Sequence, residues 1–271
     1  MTSQIKGPKI LTADIETLPL QTYNWSLFDE PRTLDRLVKD WAVFSAAGKW
    51  LHEKKVQYVD TQHHPGGASD DKELLIWLRE LLDEADIVVG QNVKKFDMRK
   101  IRARMIYHGL KPFREPEIVD TLLMAREVGA FTSNKLEYLS TLTDEQKSKH
   151  AKYPGFALWL GILANEPGAW AECKRYNKQD VVATEKLYLL LRPWARRHPN
   201  LAHYYEDDHR RCPRCRFANG REDLRDGLLH LVGRDRGGLI QGVLGLRETH
   251  GSVGEDDVAP GRKQVRAQQS S

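Results

Sequence analysis

The sequence has no long hydrophobic run. Stretches such as Leu187 to Leu191 are far too short to cross a bilayer, so no membrane partner is expected. The stretch from Met1 to Ile10 lacks the apolar region of a secretory signal. Cysteine is scarce: three among 271 residues cannot build a disulfide framework, which fits a reducing, cytoplasmic setting. Neither sign of charge dominates. A net +4 from 42 basic and 38 acidic residues neither demands nor excludes a nucleic-acid partner. Internal repeats are missing as well. Aromatic residues vanish toward the end: from Ala218 to Ser271 there is no Phe, Tyr or Trp, and Lys occurs only at Lys263. Such a Gly- and Arg-rich segment has little to bury and is expected to form a poorly structured tail.

What remains is 40% apolar and 30% charged, the balance of an ordinary globular protein. Lys9 to Glu16 reads as a strand, followed by strands over Val43 to Trp50 and Lys55 to Asp60. Leu74, Leu75, Leu78, Leu81 and Leu82 recur at helical spacing within Lys72 to Glu84. Asp86 to Val89 is a short apolar strand that ends at Gly90, and Phe96 to His108 is a helix. A short strand over Glu117 to Val119 leads into a helix over Asp120 to Val128. Phe156 to Ala164 and Gly168 to Leu191 read as two more helices. Strands first, then strands alternating with helices, predict an α/β sheet covered by helices.

Asp14 and Glu16 stand two apart on the first strand, so both side chains leave the same face. Adjacent carboxylates repel unless a cation lies between them, and a hard divalent ion such as Mg²⁺ or Mn²⁺ is the natural neutraliser. Two solvated acids at a strand end are the plain alternative. Asp180 falls within the stripe Cys173, Tyr176, Thr184, Leu187 and Leu191 of the last helix, where an unpaired carboxylate would be costly. Tyr176 lies four residues earlier and shares its face. The alternative is a stripe interrupted at its rim. Asp97 follows Gly90, Asn92 and Phe96, where a strand passes into a helix; open α/β sheets place ligands there. An ordinary first-turn acid favoured by the helix dipole would look the same.

In order along the chain these are Asp-Ile-Glu on a strand, Asn-x-x-x-Phe-Asp before a helix, and Tyr-x-x-x-Asp on a late helix. The set resembles the three exonuclease motifs of the DEDD (DnaQ-like) superfamily, and the Tyr resembles its DEDDy branch. "DIETLP" and "GQNVKKFD" are similar to the proofreading exonuclease domain of family B DNA polymerases and its stand-alone, often phage-encoded, relatives. The resemblance covers Lys9 to Pro193 and includes all four acids and the Tyr.

The resemblance implies a ribonuclease H-like fold: a mixed five-stranded sheet flanked by helices, over residues 1–195. It implies a 3′→5′ exonuclease acting on DNA 3′ ends, single-stranded for preference, in a bacterial or phage-infected cytoplasm. RNA 3′ ends are the close alternative, and an inactive nucleic-acid-binding module is the alternative of another class. Two Mg²⁺ or Mn²⁺ ions would be held by Asp14, Glu16, Asp97 and Asp180. These four acids and Tyr176 form the expected catalytic set, with Tyr176 orienting the attacking water. An unperturbed Tyr, with a pKa of about 10, is a poor general base at neutral pH. Ile15, Thr17, Leu18, Asn92 and Phe96 would contact substrate. Phe96 is also expected to anchor its turn in the core, and Asp120 to support the site or begin a helix.

Lys94, Lys95, Arg99, Lys100, Arg102 and Arg104 crowd the second motif. They suit phosphate contacts, or simply the solvated side of a helix. Trp25, Trp41 and Trp50 are either base-stacking residues or core. Residues 196–217 read as a linker carrying the knuckle Cys212-Pro-Arg-Cys215, and 218–271 as the tail. His203, His209, Cys212 and Cys215 could in principle close a zinc site, and "RRCPRC" resembles the opening half of a zinc ribbon. No Cys follows Cys215, so a structural Zn²⁺ is not expected. A shifted reading frame after Cys215 would account for both the missing half and the change in composition.

Overall fold

The computed structural model describes residues 7–26, 33–144 and 152–205. Strands β1 (Ile10–Thr17), β2 (Gln21–Thr22), β3 (Leu37–Lys39), β4 (Val43–Trp50) and β5 (Gln57–Asp60) come first. Helix α1 (Lys72–Glu84), β6 (Ile87–Gly90), α2 (Asp97–Tyr107), β7 (Glu117–Asp120) and α3 (Thr121–Val128) alternate after them. Helices α4 (Leu136–Leu139), α5 (Ala157–Leu163) and α6 (Pro167–Leu191) close the order. Five strands form one sheet in the order β5-β4-β1-β6-β7. β1, β4 and β5 pair antiparallel, whereas β1, β6 and β7 pair parallel, so the sheet is mixed, as the resemblance implies. A ribbon of β2 and β3, not foreseen in the sequence, follows β1.

Alternation along β1 divides the molecule. Leu11, Ala13 and Ile15 pack with Leu74, Leu75, Leu78 and Leu82 of α1 and with Met98, Ile101 and Met105 of α2. Burying each such leucine contributes about 1.5–3 kcal/mol, an upper estimate given a compact unfolded chain. Asp14 and Glu16 leave the other face of β1, toward α6. On that face Ile10, Ile87 and Val89 pack against Leu187, Tyr188 and Leu191 of α6. Ala195 and Leu201 are buried in the same core, and Tyr204 packs against it. The packed unit therefore continues past residue 195, and residues 196–205 are not a bare linker. The rest of that segment, the tail, Cys212 and Cys215 lie outside the described residues.

Two details set the geometry of the turn after β6. A Cβ on Gly90 would come within 2.7 Å of the Val93 Cβ and 3.1 Å of the Ala13 carbonyl, so the backbones approach closely only with glycine there. Asn92 adopts φ 60°, a left-handed conformation that Asn tolerates better than most residues. Phe96 does not anchor this turn. It is 39% exposed, while Val93 is buried in its place. The last helix starts at Pro167, at a first-turn position where the missing N–H costs nothing.

Candidate active site

The alternation of β1 and the buried stripe of α6 bring the third-motif acid to the first-motif pair. Carboxylate oxygens of Asp14, Glu16 and Asp180 all lie within 4.8 Å of one another. Asp14 and Glu16 are half-buried and Asp180 is buried. Three carboxylates this close repel strongly, and a purely oxygen donor set of this kind fits a hard divalent cation.

Asp97, the first residue of α2 and the fourth acid of the expected set, is not one of these three, but it binds the strand that carries two of them. Its Oδ1 accepts the N–H of Ile15 at 3.2 Å, the backbone link between Asp14 and Glu16. Burial pushes the Asp97 carboxyl up to about 7, and the Asp120 charge adds to the rise, although the N–H groups of Ile15 and Asp97 itself pull it back. A carboxyl so poised gains most from a nearby cation.

The sequence did not single out Asn177, which is fully buried on α6. Its Nδ2 donates to Asp14 Oδ2 at 2.6 Å and to the Asp14 carbonyl at 3.3 Å. Its Oδ1 accepts the Ser45 hydroxyl at 2.9 Å, and the Cys173 thiol stands 3.9 Å from that hydroxyl. Burial, with the Glu16 charge nearby, pushes the Cys173 thiol up, so it stays protonated as a structural group. Asn177 lies at the four-residue step between Cys173 and Val181, and that spacing was the available signal. Tyr176 precedes it and is half-buried, one turn before Asp180.

Asp120 proves to be the post for the second-motif loop. It accepts the N–H groups of Asn92 at 3.0 Å and Lys94 at 3.1 Å, and also caps α3 through Leu122 and Leu123. Gln91 ties the same loop to Asn134 and Thr121.

The expected substrate contacts separate by exposure. Asn92 and Thr17 are half-buried and Phe96 is exposed. Ile15 and Leu18 bury their side chains in two cores, and the N–H of Leu18 goes to Ala42. The Thr17 carbonyl accepts the indole N–H of Trp159 at 3.2 Å, and exposed Phe156 stacks on that indole. Neither aromatic was singled out in the sequence. Trp25 is 93% exposed, whereas Trp50 packs against the core and Trp41 lies under Lys100, whose Nζ is 3.8 Å from the ring centroid.

The basic cluster is not one surface. Arg104 is buried, with Nε and Nη2 on the carboxylate of Asp71 at 2.7 and 2.8 Å, and is not a phosphate contact. Arg102 pairs with Glu115. His203, once a possible zinc ligand, has Nε2 2.9 Å from the Asn200 side chain. Among the described residues, no helix is long and apolar enough to cross a membrane.

Comparison with known proteins agrees with this architecture. A stretch of 155 residues is 25% identical to "DNA polymerase III PolC-type" of Ureaplasma parvum, covering 50% of this chain and 11% of that protein. The chain thus spans only about a tenth of that relative. The family B DNA polymerase of Pyrobaculum calidifontis superposes with a TM-score of 0.51 at 16% identity, over 70% of this chain and 26% of the polymerase, a likeness of fold. The RNase H superfamily model matches residues 39–192, which carry Asp97, Tyr176 and Asp180 and exclude β1. With more than half of its residues matched, the chain belongs to the RNase H superfamily.

Proposed function

We propose that this chain is a metal-dependent 3′→5′ exonuclease of the DEDDy type that removes nucleotides from DNA. The observation that carries the reading is the convergence of Asp14, Glu16 and Asp180 to within 4.8 Å, with Asp97 bound to the backbone between the first two. The motif order and the likeness to a DNA polymerase relative support the same chemistry.

Asp14, Glu16, Asp97 and Asp180 are the residues that would hold two divalent cations, Mg²⁺ or Mn²⁺. When bound, such a pair lowers the pKa of a water and offsets charge on the attacking and leaving oxygens of an in-line displacement. The chain's own contribution is position. Asn177 holds Asp14 Oδ2 and so sets the orientation of that carboxylate. Asp120 fixes the loop that presents Asn92 and Phe96 to the terminal nucleotide. Tyr176 orients the attacking water through its hydroxyl, a role that needs no ionisation. Water attacks the terminal phosphorus, the 3′-oxygen leaves with the pair of its broken bond, and a nucleoside 5′-monophosphate departs.

The test is a 5′-labelled single strand of DNA, and one of RNA, incubated with Mg²⁺, Mn²⁺ or EDTA. A ladder that shortens from the 3′ end only with metal, and disappears in Asp14→Ala and Asp180→Ala, is expected for DNA. Faster shortening of RNA would reassign the substrate. Binding without cleavage in every metal would remove the enzyme reading.

A further inference from the structure

We propose that a cationic cleft beside the catalytic loop holds backbone phosphates of the strand upstream of the bond being cut, an inference that rests on the nuclease reading. The cleft has a volume of about 360 Å³ and is lined in part by Lys94, Glu117, Arg197, Asn200, His203 and Tyr204. These residues come from three stretches far apart in sequence.

Its walls are built, not incidental. The turn from 192 to 204 is pinned by Ala195 and Leu201, both buried in the core below α6. His198, within that turn, has Nδ1 2.7 Å from the Pro199 carbonyl and Nε2 2.9 Å from the Tyr188 hydroxyl, and it stacks on that ring. A carbonyl only accepts, so His198 Nδ1 carries a proton in that contact. The opposite wall is β7, at the edge of the sheet.

The lining has cations to spare. Lys94 and Arg197 are exposed, and neither side chain has an ion-pair or hydrogen-bond partner among the described residues. Together they outweigh Glu117. The cluster elsewhere in the second motif is different: Arg102 and Arg104 are occupied by acids. Unpartnered cations in a concave wall suit the evenly spaced charges of a phosphodiester chain.

The cleft is also coupled to the catalytic loop. The Lys94 N–H donates to Asp120, the last residue of the β7 wall. Lys94 stands three residues before Asp97, so their Cα atoms are no more than about 11 Å apart. A strand whose 3′ end sits at the acids would need only a few nucleotides to reach the cleft.

The test compares wild type, the double variant Lys94→Gln/Arg197→Gln and a distant control, Lys55→Gln. Each is assayed on a 5′-labelled 15-nucleotide DNA and on a dinucleotide, over a range of salt. Binding of a fluorescent 15-nucleotide strand in EDTA is read in parallel by anisotropy. The double variant should lose about tenfold or more in kcat/KM and in affinity for the long strand, and its log–log salt slope should fall by about 1.4, about 0.7 for each of two phosphate contacts on a single strand. Its ratio of long-strand to dinucleotide kcat/KM should fall with it, while Lys55→Gln matches wild type. Equal loss on both lengths, or no loss of long-strand affinity, would overturn the cleft. A wild-type protein that cleaves nothing would sink the nuclease reading alone, because anisotropy still decides the cleft.

Discussion

Asn177 holds Asp14: its amide nitrogen lies 2.6 Å from Asp14 Oδ2, while its oxygen takes the hydroxyl of Ser45. The contact joins the third motif to the first through a residue that binds no substrate. A partner that orients a metal-binding carboxylate typically affects metal affinity 10–100-fold. Asn177→Ala is therefore expected to raise the Mn²⁺ dissociation constant by about 10-fold or more. Calorimetric titration of the protein with Mn²⁺ reads this without turnover, and activity should recover at high Mn²⁺. An unchanged Mn²⁺ affinity, with only a lower melting temperature, would reduce Asn177 to a packing residue.

The second-motif loop depends in the same way on Asp120, which accepts four backbone N–H groups from two segments. Asp120→Asn keeps the shape but sets an amide donor against at least one N–H. Lost capping and a frustrated loop together are expected to cost about 1–2 kcal/mol. Amide hydrogen exchange should accelerate at residues 91–96 more than in β1. Uniform acceleration across the domain would mean that Asp120 supports the fold generally rather than this loop.

Much of this was legible because period and chemistry agree. The two-residue step of Asp14 and Glu16 predicts a shared face, and α1 follows its leucine spacing residue for residue. Asp180 could be suspected because an acid stood in an apolar stripe. Asn177 stood in the same stripe, but a neutral amide draws no attention there. Long-range pairing left no mark at all. Arg104 reads as one more cation in a basic helix until Asp71, 33 residues away, is seen beside it. The docking of Leu201 was hidden by a fall in apolar content after Trp194, because a single buried leucine does not alter composition.

Asp71 makes a pH-dependent prediction. Burial alone would raise its carboxyl, but Arg104, the Val43 N–H and His108 outweigh burial and hold it below its ordinary 3.8. A depressed folded value means that the stabilisation is fully present above the unfolded value and is lost as pH falls through the lower folded one. Asp71→Asn, which leaves Arg104 buried without its counter-ion, should cost about 3–5 kcal/mol near neutrality. Urea unfolding of both proteins from pH 7 to pH 3 should show that difference shrinking below about pH 4. A gap that stays constant over this range would mean that the charge of Asp71 contributes nothing.

Lys49 of β4 and Glu185 of α6 form the second buried ion pair, at 2.6 Å, with 9% and 8% of their side chains exposed. Burial raises the Glu185 carboxyl, and Lys49 opposes that rise without cancelling it. Two ions that have lost their water recover little more than the cost of losing it, so the pair is not a large net source of stability. Removing one partner is different. Lys49→Met should destabilise by about 3–5 kcal/mol at neutral pH, because a buried carboxylate is left alone. Lys49→Met with Glu185→Leu should recover most of that loss, since apolar side chains of similar volume can replace a buried pair. Chemical denaturation of the two single variants and the double variant gives the coupling energy directly. Strictly additive losses would show that the two side chains act independently, and that other contacts between β4 and α6 set their register.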